Sequence, residues 1–159
     1  LYYGDEIGTL SDYGYLEDPN KAGDSRWMNR PRIDWDKAER RHQHGSVEQQ
    51  IFDGLRRMIA ARKGIPAFAD FNNRDLIDLD NPHLFAFLRT HPEQHVASSV
   101  LVVANFDANP QYLELSNLRY RSLYLRGTLQ DLYTGEIPRL FNDRLVVPPY
   151  RFYWLSNMR

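Results

Sequence analysis

Residues 23–32 hold the side chains of this chain that are best suited to contact a ligand. They read Gly-Asp-Ser-Arg-Trp-Met-Asn-Arg-Pro-Arg and lie in a stretch without a sustained hydrophobic period. Asp24 precedes Arg26 by two residues, so its carboxylate either orients the guanidinium or only forms a turn. Trp27 offers an aromatic plane that suits the C–H-rich face of a pyranose, or it anchors the loop by packing. The sequence leaves both pairs of alternatives open.

Two further acids, Asp5 and Glu6, are adjacent in residues 1–6, which have the pattern of a strand end. Neighbouring side chains of a strand point to opposite faces, so these two carboxyl groups cannot act as a paired acid. We interpret them as residues that anchor the loop. No catalytic residue is predicted in this chain.

The remaining residues with potential for chemistry do not form a recognisable site. A His-x-His pair has no third ligand nearby in sequence and no cysteine to complete it, and the other histidines are scattered. No glycine-rich phosphate loop and no nucleophile elbow are present. We therefore expect neither a metal nor a cofactor; the residues considered are His42, His44, His83, His91, His95, Ser98 and Ser99.

Composition excludes several classes of protein. The 159 residues carry a formal net charge of −1, which argues against a nucleic-acid surface. No apolar run approaches the ~20 residues of a membrane helix, so no membrane partner is expected. There are no cysteines, which excludes a disulfide framework but leaves the compartment undecided. The 42% hydrophobic content is sufficient for a packed core.

One helix is predicted over residues 46–63. Ser46 followed by Gln49 has the spacing of a capping box, and apolar residues recur at helical spacing along one face. Gly64 in a left-handed conformation and Pro66 are expected to end the helix. The apolar stripe consists of Val47, Ile51, Leu55, Met58 and Ile59, with Arg62 at the same spacing and with Glu48, Gln49 and Arg56 turned elsewhere.

After residue 68 the hydrophobic period changes to two, which predicts strands. The runs are residues 84–88, 100–104, 112–115, 145–147 and 152–155, and turn signals separate them. Several strands without helices between them indicate an antiparallel sandwich. Residues 100–104 are apolar throughout and should form a central strand, while Pro110 and Pro148 belong at strand starts or edges.

Several of these segments together resemble the α-amylase family of glycoside hydrolases. Residues 101–106, 131–136 and 147–150 resemble its closing all-β domain, and Asp-x-Arg-Trp-x-x-Arg-Pro resembles the loop after its last barrel strand. Asp-Ser-Arg-Trp and the helix at residues 54–62 are similar to the amylosucrases within that family, which build α-glucan from sucrose.

The resemblance implies a mainly β fold: a C-terminal antiparallel Greek-key β-sandwich at residues 67–159. Residues 1–66 would be the end of a (β/α)8 barrel, with its last strand, a long loop and its last helix. The catalytic acids of such barrels come from several strands, so this chain is expected to be inactive alone. Arg26 resembles the arginine that closes the glucosyl pocket by pairing with an aspartate from an earlier barrel loop; here it should be exposed or paired with Asp24.

The resemblance therefore implies that sucrose and α-glucan are the ligands of the complete enzyme. Alternatives are a different α-amylase-family reaction, such as sucrose hydrolysis, sucrose phosphorolysis or α-glucan hydrolysis, or a non-catalytic sandwich that binds carbohydrate. A binding sandwich would need an aromatic platform, for which Tyr120, Tyr124, Tyr133, Tyr150 and Tyr153 are candidates. Apolar surface left exposed on the helix and the barrel strand predicts self-association, or disorder in the first forty-odd residues.

Overall fold

The computed structural model describes residues 1–70, 72–91, 99–116 and 128–157. The chain divides into two compact units, Leu1–Ala60 and Ala61–Arg159. His95, Ser98, Tyr120 and Tyr124, which the sequence analysis considered, lie outside the described residues. None of the described helices is long and apolar enough to cross a membrane.

The first unit begins with short 3₁₀ turns rather than with a strand. The strand expected at residues 1–6 is wrong: Asp5–Ile7 is a 3₁₀ turn, and the described residues contain no strand before Arg74. Local bonds explain this, since the amides of Ile7 and Thr9 both donate to the carbonyl of Gly4, at 3.1 and 2.9 Å. Gly4 has φ 89°, a left-handed conformation that favours glycine. The chain turns there instead of extending.

The rest of the first forty-odd residues is also ordered by short helices. Further 3₁₀ turns are Tyr13–Glu17, Ser25–Asn29 and Arg40–His42, and the α-helix α1 is Trp35–Glu39. Asp12, Asp24 and Asp34 begin three of these helices, and each carboxylate accepts a backbone amide of the first turn. This is the ordinary role of aspartate as an N-cap. The segment predicted as a long structured loop is therefore a series of capped turns.

Helix α2 spans Val47–Lys63, close to the predicted bounds. The hydroxyl of Ser46 accepts the amide of Gln49 at 3.0 Å, as the capping box predicts. The reciprocal bond differs, because Oε1 of Gln49 accepts from the amide of Gly45 at 3.3 Å. The prediction for Gly64 is wrong: its φ is not positive, and its amide donates to the carbonyl of Ala61 at 3.1 Å. A tightened last turn thus ends the helix.

The apolar stripe of α2 is only partly covered. Val47 is 66% exposed and Ile59 is 41% exposed, and the other members are half-buried. The buried residue of this helix is instead Glu48, whose carboxylate pairs with Arg40 at 3.0 Å. The helical spacing predicts that Glu48 faces away from the stripe, but it does not predict that Glu48 is buried. A buried acid requires a paired charge, and Arg40 supplies it.

The described residues of the second unit form eight strands in two antiparallel sheets, which confirms the predicted β-sandwich. The bounds are β1 Arg74–Ile77, β2 Leu84–Thr90, β3 Ser99–Asn105, β4 Gln111–Glu114, β5 Leu129–Asp131, β6 Leu140–Phe141, β7 Arg144–Val147 and β8 Phe152–Asn157. The larger sheet has the order β1-β2-β3-β8-β5, and the smaller has the order β4-β7-β6. Strand β3 is therefore central, as its continuous apolar run predicts.

The core lies between the inward faces of the two sheets. Leu101, Val103 and Leu155 of the larger sheet and Leu145 and Val147 of the smaller are fully buried in one cluster. Alternation along the strands produces this arrangement, because every second side chain faces the opposing sheet. All five strands predicted from the sequence are present, and β1, β5 and β6 are additional.

Strand β6 was not predicted because it is only two residues long, and the β6–β7 hairpin was therefore missed. Phe141 pairs with Arg144, so Asn142 and Asp143 form a two-residue loop. Both have positive φ, 50° and 60°. Two successive left-handed residues are required by the turn type that matches the twist of a hairpin, and Asn and Asp tolerate it. The Asn-Asp dipeptide was thus a readable signal.

A buried carboxylate organises the turn that follows β5. Asp131 is fully buried, and its oxygens accept the amides of Thr134 and Trp154 at 3.1 and 2.8 Å and the hydroxyl of Thr134 at 2.6 Å. The turn is thereby fixed to the neighbouring strand β8. These hydrogen bonds explain why Asp131 and Thr134 occupy their positions in the segment of residues 131–136.

We expect Asp131→Ala to lower the free energy of unfolding by about 3 kcal/mol, because buried donors lose their acceptor. The control is Glu114→Ala, which removes an exposed carboxylate paired with Arg144 at 2.6 Å. That change should stay within about 0.5 kcal/mol. Urea denaturation of the two variants measures both. Equal effects would contradict the role given to Asp131.

Candidate active-site wall

A pocket of about 470 Å³ lies within the first unit and includes one of the predicted site residues, Arg26. Its wall is built from the first 3₁₀ turn, the residues after it and the Ser25–Asn29 turn with the residues that follow. The lining residues are Tyr2, Tyr3, Asp5, Thr9, Leu10, Ser11, Arg26, Asn29, Arg30 and Pro31. The wall thus combines phenol rings, amide and hydroxyl groups, one carboxylate and two guanidinium groups, which suits a polar ligand with many hydroxyl groups.

The Arg26 guanidinium is held by Asp24 in a bidentate pair. Nε donates to both carboxylate oxygens, at 2.8 and 3.0 Å, and Nη2 donates to Oδ2 at 2.8 Å. The side chain of Arg26 is 72% exposed. The expectation that Arg26 is exposed or paired with Asp24 is therefore confirmed on both counts. The fork-to-fork geometry fixes the plane of the guanidinium as well as its position.

Asp24 performs both of the tasks that the sequence left as alternatives. Its Oδ1 accepts the amide of Arg26 at 3.0 Å and so begins the Ser25–Asn29 turn, while the same carboxylate holds the side chain. Hydrogen bonds from the Arg26 side chain, followed by its backbone amide, lower the pKa of Asp24 to about 2. The carboxylate therefore stays charged through the whole physiological range.

Trp27 lies on a second cavity, of about 600 Å³, and not on the wall of the first. Its half-buried ring has Nζ of Lys21 at 5.5 Å and the guanidinium carbon of Arg30 at 5.9 Å from the ring centroid. These are cation–π distances. Arg30 and Pro31 line both cavities. The structure thus brings Asp24 and Arg26 together, while Trp27 lines a different cavity from Arg26.

The acids at the start of the chain anchor backbone, as predicted. Asp5 accepts the amide of Tyr2 at 2.8 Å, and Glu6 accepts the amide of Gly4 at 2.9 Å. Of the two, only Asp5 lines the pocket. Cleavage of a glycosidic bond with retention needs two carboxyl groups about 5 to 5.5 Å apart. The lining residues provide one, so this wall can bind and orient a ligand but lacks the acid pair.

Two tyrosines and one side-chain amide of the wall, those of Tyr2, Tyr3 and Asn29, were not predicted from the sequence. Tyr3 donates its hydroxyl to the carbonyl of Pro31 at 3.1 Å, and Ser11 lies 3.5 Å from Asn29 between side-chain oxygens. These contacts join residues 18 to 28 positions apart. Only the density of aromatic and Asn residues in the segment could have indicated them. Within the described part of the chain, no group of three or more His, Cys, Asp or Glu residues could hold a metal.

The tyrosines proposed as an aromatic platform do not share one environment. Tyr153 is buried at 5% exposure, Tyr133 is half-buried against Phe152 at 5.4 Å between ring centroids, and Tyr150 is 72% exposed. Of these three tyrosines, only Tyr150 has a largely exposed ring.

Comparison with known proteins places the second unit in a family. The family model described as maltogenic amylase, C-terminal domain, matches residues 75–154. A crystal structure of AmyP E221Q in complex with maltotriose is similar in fold, with a TM-score of 0.54 and 15% identity over 72% of this chain. A pullulanase from Anoxybacillus sp. LM18-11 matches over 79% of this chain, at 14% identity and a TM-score of 0.49. This chain spans 22% of the length of the first and 17% of the second.

We expect Arg26→Gln to raise the pKa of Asp24 from about 2 toward its ordinary value of 3.8, because the largest cause of the lowering is removed. The Arg26 amide bond should keep it below 3.8. The folded state then loses stabilisation that is present above pH 3.8 and disappears as the pH falls toward 2. Carboxyl-carbon NMR titration measures the pKa of Asp24.

Asp18 serves as the internal control. A hydrogen bond from Lys21 is the main reason that the pKa of Asp18 is lowered. This pKa should not change in the Arg26 variant. An Asp24 pKa that stays at about 2 without the guanidinium would contradict the pairing described above.

Proposed function

We propose that this chain, which belongs to the maltogenic amylase C-terminal domain family, is the C-terminal portion of an amylosucrase-like glucosyltransferase. The Asp-Ser-Arg-Trp motif at residues 24–27 supports the narrower assignment. The complete enzyme would cleave sucrose through a covalent β-glucosyl intermediate and transfer glucose to an α-1,4-glucan. Two carboxyl groups of the enzyme suffice for this chemistry, one as nucleophile and one as acid and base. The glycosidic bond of sucrose supplies the free energy, so no cofactor is required.

The observation that carries this proposal is Arg26 on the wall of the 470 Å³ pocket, with its guanidinium held by Asp24. A guanidinium fixed in orientation offers a directional donor to a second carboxylate, and Nη1 is the donor that the pair with Asp24 does not use. In the complete enzyme, an aspartate from an earlier barrel loop would take that position or replace Asp24. Such a closure would shut out longer chains and favour a single glucosyl unit.

We propose that residues 1–66 are the end of a (β/α)8 barrel and that residues 67–159 are the domain that follows it. The family match at residues 75–154 supports the second assignment. The exposed apolar stripe of α2, with Val47 66% and Ile59 41% exposed, supports the first, since a last barrel helix would bury that face on its neighbours. In the isolated chain the same stripe favours self-association.

Hydrolysis of α-glucan is the alternative that a specific observation favours. The matching family is named for maltogenic amylases, and the AmyP structure of similar fold holds maltotriose. Both point to α-glucan as the sugar class without requiring sucrose as donor. The two proposals share the pocket and differ in the substrate that it accepts.

We expect this 159-residue chain to release no fructose from sucrose, because the pocket lining includes one carboxylate where two are needed. The measurement is an enzyme-coupled fructose assay against a buffer blank. Release that scales with protein concentration and survives repurification would contradict the assignment of this chain as a non-catalytic portion.

The test of the glucosyl pocket is Arg26→Lys in the complete enzyme that contains these residues. Lysine keeps the charge but loses the bidentate fork, so kcat/KM for sucrose should fall by about 10- to 100-fold. Arg57→Lys on the exposed part of α2 is the matched control and should leave it unchanged. Loss of activity on maltooligosaccharides, with no activity on sucrose in the unaltered enzyme, would favour the hydrolase instead. Equal kinetics of the Arg26 and Arg57 variants would refute both roles.

A further inference from the structure

Three loops of the sandwich are joined by hydrogen bonds at one end of the larger sheet. They are the β1–β2, β3–β4 and β7–β8 connections. The amide of Phe106 donates to the carbonyl of His83 at 2.9 Å, and the amide of Tyr150 donates to the carbonyl of Asp107 at 3.3 Å. We call this group of loops the loop end; it is defined by His83, Phe106, Asp107 and Tyr150.

Tyr150 has a conformation that its side chain disfavours. It is the third residue of a turn in which the amide of Arg151 donates to the carbonyl of Pro148 at 3.2 Å. Its φ is 52°, in the left-handed region where this turn position usually has Gly or Asn. A bulky residue there costs free energy.

Packing does not compensate for that cost, because Tyr150 is 72% exposed. Glycine or asparagine would satisfy the turn equally well and without strain. A strained residue with an exposed ring therefore indicates that the ring itself has a use outside the fold.

A second exposed ring lies in the neighbouring loop. Phe106 is 70% exposed, and Asp107, the next residue, is the acceptor for the Tyr150 amide. A buried side chain fixes this loop, because the amide of Asp107 donates to Oδ1 of Asn105 at 2.8 Å. Two rings are thus presented on backbone that is already fixed, which reduces the entropy lost on binding.

Polar groups accompany the two rings. Nδ1 of His83 lies 2.8 Å from a carboxylate oxygen of Asp107, and the side chain of His83 is 51% exposed. This leaves Nε2 of the imidazole as the nitrogen that the pair does not use. Flat rings beside a carboxylate and an imidazole match a pyranose, which has apolar faces and hydroxyl groups around its rim.

We propose that the loop end is a saccharide-binding site for α-glucan, with Tyr150 and Phe106 stacking on glucosyl rings and Asp107 and His83 bonding their hydroxyl groups. The sugar class follows from the maltogenic amylase C-terminal domain family. The site lies in the second unit and the Arg26 pocket in the first, so this inference does not depend on sucrose as a donor.

The experiment is an NMR titration of the full 159-residue chain with maltoheptaose. We expect amide shifts at Phe106, Asp107 and Tyr150. Tyr150→Asn and Phe106→Ala should each weaken binding about tenfold, the loss expected for one stacked ring. Tyr112→Ala removes a ring that is 47% exposed on β4 and should leave binding unchanged.

Thermal unfolding provides the second measurement. Tyr150→Asn should keep or raise the melting temperature, because Asn accepts a left-handed conformation. A fall of more than about 4 °C would show that the ring serves packing and would overturn the proposal.

Three further outcomes of the titration would also overturn it. The first is the absence of shifts at millimolar maltoheptaose, and the second is binding that both ring variants leave intact. The third is concentration-dependent shifts of Phe106 and Tyr150 without sugar, which would identify the loop end as a protein contact. Arg26→Gln separates the two sites: it should leave these shifts intact, and their loss would assign the binding to the first pocket instead.

Discussion

The side-chain amide of Asn105 joins the two sheets of the sandwich, and the surrounding loops depend on it. Asn105 ends the central strand β3 and is 3% exposed. Its Nδ2 lies 3.1 Å from the carbonyl of Val147 at the end of β7, 3.0 Å from that of Pro148 and 2.9 Å from that of Asn109. A buried amide so placed satisfies carbonyls that neither sheet can pair. The crossing from one sheet to the other is thereby fixed in position.

Asp131 is a second buried polar residue that fixes neighbouring backbone in position. It lies on β5, on the other side of β8 from Asn105 and strand β3. Both are buried polar residues at strand ends whose side chains bond to the backbone of a distant segment. Nδ2 of Asn105 donates to the carbonyl of Val147, and Oδ1 of Asp131 accepts the amide of Trp154. The loops that Asn105 holds carry the exposed rings of Phe106 and Tyr150, whereas the turn that Asp131 holds carries the half-buried ring of Tyr133. The cluster between the sheets is apolar. The second unit thus has a packed core and, at its edge, loops whose side chains are exposed. This is possible because the backbone hydrogen bonds of these loops are satisfied inside the fold, so their side chains need no packing partner.

Prediction from sequence succeeded where local interactions decide the outcome. Asp24 and Arg26 are two residues apart, and a carboxylate at an N-cap reaches both the amide and the guanidinium of the same residue. Ser46 capped α2 for the same reason. Prediction failed where a local turn formed instead of the expected conformation. Residues 1–6 do not extend as a strand, because a turn forms around the carbonyl of Gly4. Gly64 ends α2 without a left-handed conformation.

The sequence by itself determined the sandwich, five of its eight described strands, the central place of β3 and the capped helix, because periodicity and caps act over a few residues. Only the tertiary structure decided that Glu48 is buried against Arg40, that Trp27 and Arg26 line separate cavities, and that Tyr150 is strained and exposed. Those features depend on contacts between residues far apart in the chain or on which face of a turn is covered. No pattern of residue types contains that information, since the same types pack in many arrangements.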